Sequence, residues 1–225
     1  MLAGDSAPED SREALGSLCR DYWRPLYYFA RRKGHSPEDA QDLTQGFFAK
    51  LLRNESFADA DPVKGRFRTW LLRSLEHFLR SEYRNASAQK RGGGQALVSW
   101  DAQEAEERYA LEPAGGHSPA HLFERRWAEV LVYGGLVRLR AEFSEDGRAT
   151  VFDALEPHLW ADETATPYAE LSGQLQMQAV ALRVTLHRMK RRFSDLLRAE
   201  VAATVSEDIA VEEELAHVRR TLAAF

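Results

Sequence analysis

The stretch that most constrains this chain is residues 64–91, KGRFRTWLLRSLEHFLRSEYRNASAQKR. Advancing each residue by about 100° gathers Phe67, Leu71, Leu72, Leu75, Phe78 and Leu79 on one side of a helix and sets Arg66, Arg73, Arg80 and Arg84 opposite. The apolar stripe commits one face to a helical core. The other face is a cationic rail almost without acid, whereas a solubilising face normally mixes signs. Trp70 and His77 fall at one border of the rail and Tyr83 toward the other. Flat rings beside a cationic track suit unstacked bases threaded along phosphates. The plainer alternative is a solvated charged face with Trp70 half in the core.

The net charge of the 225 residues is −5, which argues against a uniformly basic nucleic-acid binder. The charge is segregated, however. A second basic block holds Arg183, Arg188, Lys190, Arg191, Arg192 and Arg198 against Asp195, and acid collects in residues 101–112 and 207–214. Two separate cationic surfaces imply two contacts with a polyanion. An apolar content of 44% is enough for real cores. The chain has no run of 18 apolar residues, and its acidic start lacks an apolar h-region, so the expectation is a cytoplasmic protein without a membrane partner. The single cysteine, Cys19, recurs in register with Leu15, Leu18 and Tyr22 and reads as core.

Residues 1–10 read as a disordered lead-in. Residues 11–33 repeat apolar positions at helical spacing, with Pro25 expected to kink or divide the helix and Gly34 to stop it. Ser36-Pro37-Glu38-Asp39 then starts a helix over 37–53, with serine as N-cap, proline at the first helical position and acids in the first turn. Its buried face is Ala40, Leu43, Phe47 and Leu51, flanked by Phe48. Asp39, Asp42, Gln45, Gly46, Ala49 and Arg53 lie outside, either a protein-docking patch or an ordinary exposed face.

Taken together, DAQDLTQGFFAKLL, a short acidic loop and KGRFRTWLLRSLEHFLRSEYR resemble the conserved domain of bacterial RNA polymerase sigma factors, in the small two-domain extracytoplasmic-function form. The resemblance covers roughly residues 12–91. It implies that the 37–53 helix docks on core RNA polymerase through Asp39, Asp42, Gln45 and Ala49. It further implies that the 66–84 helix reads the −10 promoter element and holds the melted non-template strand through Arg66, Trp70, Arg73, His77, Arg80, Tyr83 and Arg84. Opening about ten base pairs costs roughly 14 kcal/mol, while stacking a flipped base on an aromatic ring returns about 1 to 3 kcal/mol. Such a helix traps opened DNA within a larger machine and does not melt it unaided.

Residues 92–118 are rich in Gly, Pro and acid and read as a flexible linker with at most a short helix. In the resembling family this segment threads the RNA path of the polymerase, which an acidic strand would imitate. Helices are expected again over 119–143 and 148–160, the first weakened by Gly134-Gly135. YAELSGQLQ and MQAVALRVTLHRMKRRFSDLLRAEV then form two helices with a short connection. This pair resembles the helix-turn-helix of the sigma factor's second domain. The resemblance implies −35 contacts from Gln178, Ala179, Val180 and Arg183 near the helix start, with His187, Arg188 and Arg191 on phosphates. Gln176 stands where the family often has a turn glycine and Gln178 where it usually has a capping Ser or Thr, a loss of about 0.5–2 kcal/mol at the helix start.

Val211, Leu215, Val218, Leu222 and Phe225 recur at alternating four- and three-residue steps, a seam for another helix. It either packs on its own second domain or serves as a regulatory or partner-binding element.

The fold expected is all-α: two small helical domains, 11–91 and 119–205, joined by a flexible acidic linker, with a C-terminal amphipathic extension over 206–225. The function expected is a non-enzymatic sigma factor without a cofactor. Its partners would be core RNA polymerase and promoter DNA, with an anti-sigma factor or self-regulation through the extension. One rival is a stand-alone helix-turn-helix regulator. Another is a metal-dependent nuclease using His117, His121 and Glu124, although two histidines four apart without a third well-spaced ligand are a weak metal signature.

Overall fold

A computed structural model describes residues 9–53, 66–88, 102–112, 117–160, 164–205 and 208–223. Among them there is no strand. The helices are α1 Glu9–Arg32, α2 Pro37–Arg53, α3 Phe67–Ala88, α4 Ala102–Ala110, α5 Pro119–Glu145, α6 Ala149–Leu159, α7 Tyr168–Leu175, α8 Ala179–Ala202 and α9 Asp208–Ala223. The chain divides into two compact units, Met1–Ala128 with Val218–Phe225, and Glu129–His217.

The first unit is built on aromatic residues of α1. Tyr22, Trp23, Tyr27, Tyr28 and Phe29 are all buried, with Phe47 and Phe48 from α2 and Leu71, Leu75 and Phe78 from α3. Pro25 is also buried, and α1 passes through it as a single helix rather than dividing. Gly34 ends α1 at φ +96°, a left-handed conformation that favours glycine. The α2 start is as expected: the Asp39 amide donates to Ser36 Oγ at 3.1 Å. Gly46 is a correction. A side chain there would meet Phe78 Cζ at 3.4 Å, so Gly46 faces α3 and not the outer side of α2.

Residues 102–112 hold the short helix allowed within the linker expected over 92–118. They form α4 and its end, bound to α1 through complementary charge and a small residue at the contact. Ala105 is fully buried, and its carbonyl accepts from Tyr28 Oη at 3.1 Å. Glu106 accepts from Arg31 Nε at 2.8 Å, Arg31 Nη2 at 2.7 Å and Tyr27 Oη at 2.6 Å. The Arg31 hydrogen bonds hold the Glu106 carboxyl below its ordinary range, and burial beside Glu106 pushes the Tyr27 hydroxyl up. Glu112 is paired with Arg126 and, at 3.7 Å, with Arg125. The division between the units falls after Ala128, within α5.

In the second unit Leu139 of α5, Phe152 and Leu155 of α6, Leu171 of α7 and Leu182, Leu186, Met189 and Leu196 of α8 make one core. The Gly134-Gly135 pair leaves α5 unbroken, and a side chain on Gly135 would approach Phe193 Cε2 to 3.1 Å, so the gap in side chains admits a ring. Val211 and Leu215 of the α9 seam are buried, and Glu212 pairs with Arg198; Val218, which belongs to the first unit, is buried as well. Phe225, the last position of that seam, lies outside the described residues.

Candidate nucleic-acid interface

Helix α3 turns its stripe inward as its periodicity requires: Leu71 and Leu75 are fully buried, and Phe78 stacks obliquely on Phe47 of α2 at 5.7 Å. That packing fixes what points outward. Arg73, His77, Arg80, Tyr83 and Arg84 are exposed, and Arg66 and Trp70 are half-buried. The Tyr83 ring is 79% exposed and the Arg80 side chain 68%. Glu76 reaches Arg80 at 4.0 Å and Lys33 at 3.7 Å. Six of the seven residues expected from sequence stand on α3, and Arg66 directly precedes it.

Two concavities flank it, with His77 in the wall of both. One, about 290 Å³, lies between α2 and α3 and is lined by Phe47, Lys50, Trp70, Ser74 and His77 among others. Its floor is aromatic, with Trp70 5.5 Å from Phe67 and Lys50 Nζ 5.5 Å from the Phe78 ring. The other, about 770 Å³, is bordered by Lys33, His35, Arg80, Tyr83 and Arg84. Lys33, His35 and Lys50 are additions to the expected set. They lie outside α3, so its projection could not reveal them; the basic end of α1 was the available signal.

Arg68 is set apart from its neighbours. It is 4% exposed, its Nη1 donates to Glu124 at 2.6 Å, and its guanidinium lies 4.8 Å from the centre of the Trp127 ring. Arg68 is thus structural, whereas Arg73, Arg80 and Arg84 of the same stretch are exposed. The same contact engages Glu124, the third ligand of the imagined metal site, and the His117 and His121 rings meet edge to face at 6.4 Å. No group of three metal-ligating side chains occurs among the described residues.

On α2, Asp39 and Asp42 are exposed and Gln45 and Ala49 half-buried. The Ala49 carbonyl accepts from Arg53 Nε at 3.2 Å.

In the second unit, α7 and α8 are joined by a tight turn. Gln176 takes φ 52° and ψ 36°, so the turn keeps a left-handed conformation without glycine. Ser172 Oγ donates to the Met177 carbonyl at 2.6 Å, and the Met177 amide to the Ser172 carbonyl at 3.2 Å, which braces it. Gln178 is the extended N-cap and makes no side-chain cap, as its residue type suggests. Val180, Arg183, His187, Arg188 and Arg191 are exposed and Ala179 half-buried. Arg183 leans on the Tyr168 ring at 5.4 Å.

Residues 18–89, about a third of the chain, match the family model described as Sigma-70 region 2. This stretch is similar to a sigma-70 region 2 domain. It comprises most of α1, all of α2 and all of α3, the helices that form both faces just described. Proteins of this family are transcription initiation factors and not enzymes, and the match supports a role in promoter recognition and in binding core RNA polymerase. No curated protein and no solved structure matches the chain. No helix among the described residues is long and apolar enough to cross a membrane.

Proposed function

We propose that the chain is a two-domain sigma factor of the extracytoplasmic-function type, acting in the cytoplasm. Helix α3 holds the melted non-template strand at the −10 element through Arg66, Trp70, Arg73, His77, Arg80, Tyr83 and Arg84. Bases stack against Trp70, His77 and Tyr83 while the guanidiniums follow the phosphates. The outer face of α2, with Asp39, Asp42, Gln45 and Ala49, docks on core RNA polymerase. Helices α7 and α8 act as a helix-turn-helix in the −35 major groove, with Gln178, Ala179, Val180 and Arg183 toward base edges and His187, Arg188 and Arg191 toward phosphates. Residues 206–225 act as a built-in regulatory element; an anti-sigma factor is the alternative partner.

The observation that carries this reading is the outward Arg80–Tyr83–Arg84 edge of α3, next to an aromatic cleft, with Glu76 reaching Arg80 at 4.0 Å. A stand-alone duplex regulator gives that edge no task. Titrating the purified chain separately with core polymerase and with promoter duplex tests the proposal. Tight polymerase binding and weak duplex binding alone support it; tight duplex binding alone favours the regulator.

A further inference from the structure

The basic residues of the second unit sort into two sets. Arg138, Arg140, Arg192 and Arg198 are each held by a carboxylate of the chain, at Glu200, Asp153, Glu142 and Glu212. On the first four turns of α8, none of His187, Arg188 and Arg191 forms an ion pair with another described residue. Amid these uncompensated cations stand two large apolar side chains, Val180 at 65% and Val184 at 46% exposure. In projection they lie opposite the buried Leu182, Leu186 and Met189, so the unit's own core leaves them uncovered.

We infer that Val180 and Val184 read the 5-methyl groups of thymines in the major groove, an inference that rests on α8 being the duplex-facing helix. Thymine alone among the four bases presents a methyl group there, and apolar side chains recognise it by contact. The flanking cations bring a polyanion to the same surface, which an apolar protein partner would not satisfy. The two valines are four residues apart, about 6 Å along the helix. That distance is on the order of two base-pair steps of about 3.4 Å each, so the thymines lie two steps apart when the helix follows the groove.

Holoenzyme assembled from the full chain and core polymerase selects duplexes from a library randomised across the −35 window. Each thymidine of the selected site is then replaced by deoxyuridine, which removes only the methyl group. The wild type is expected to lose about fourfold in affinity per methyl at two positions, as follows from about 0.8 kcal/mol for burying one such carbon. Val180→Ala and Val184→Ala are each expected to bind thymidine and deoxyuridine equally at one of the two. Both positions are exposed and alanine favours helix, so the variants keep the fold. A selected site without thymine, or a deoxyuridine effect that is absent or the same in wild type and variants, overturns the inference. Arg191→Ala separates the two levels: weakened −35 binding with no deoxyuridine effect removes only the thymine reading, whereas unchanged −35 binding removes the duplex-facing role of α8 as well.

Discussion

The Arg31 guanidinium closes a two-point fork on Glu106, Nε to Oε2 at 2.8 Å and Nη2 to Oε1 at 2.7 Å, and so fastens α4 to α1 across 75 residues of sequence. Tyr27 completes the site from the same helix. Charge-assisted, bidentate contacts of this kind carry more free energy than neutral ones. The acidic segment 102–112 is therefore matched to the surface on which it rests.

Glu106→Ala should free α4 from α1 at a cost of about 1.5 kcal/mol, the low end for a hydrogen-bonded charge because the Glu106 side chain is 30% exposed. Faster hydrogen exchange in residues 102–110, with α2 and α3 unchanged, is the expected signature.

Acid should do the same to the wild type. The folded carboxyl of Glu106 is lowered by Arg31, so its contribution is complete above the ordinary carboxylate range and is lost as pH falls through the lowered value. Tyr27 acts at the other end. Its hydroxyl is raised by burial and then by Glu106, so that contribution holds below about pH 10 and declines as pH rises further. Exchange rates of the 102–110 amides against pH should show a plateau with a fall in protection on both sides.

Arg68→Ala should destabilise the first unit by about 3 kcal/mol, since it removes the buried Arg68–Glu124 pair and the contact of Arg68 with the Trp127 ring. Arg73→Ala, at an exposed position, should leave urea denaturation within about 0.5 kcal/mol of the wild type while weakening promoter complexes.

Gln176→Gly should stabilise the second unit by about 1 kcal/mol, because a non-glycine residue at φ 52° carries a steric cost that glycine does not. Gln178→Ser should add about 0.5–1 kcal/mol by supplying the missing N-cap. Urea denaturation of the full chain, read by probes in α7 and α8, checks both.

The helices and their buried faces were legible in the sequence because each depends on local period. Leu71, Leu75 and Phe78 of α3 and Leu182, Leu186 and Met189 of α8 are buried as projection required. So was the outward placement of Trp70, His77, Arg80, Tyr83 and Arg84, which is the complement of the same stripe. What depended on distant partners was not legible. Arg68 looked like its neighbours until Glu124, 56 residues away, closed on it. Within 92–118, read as a linker with at most a short helix, nothing local announced that Glu106 would meet Arg31 and Tyr27. Gly46 appeared to belong to a small-residue docking patch because projection alone did not show how near Phe78 would come.

The α2 face and the α3 face are assigned different partners, and substitutions should separate them. Gln45→Ala should weaken binding of core polymerase several-fold while leaving the thermal midpoint unchanged, because the residue is half-buried at the surface.

The most direct measurement is the fluorescence of 2-aminopurine placed in the −10 non-template strand, followed as holoenzymes carrying wild-type, Trp70→Ala or Tyr83→Ala chain form the open complex. Removing one stacking ring should cost about 1–3 kcal/mol, a roughly fivefold to hundredfold loss of open complex with polymerase affinity unchanged. Normal strand opening in both variants, or loss of polymerase capture in its place, would contradict the account.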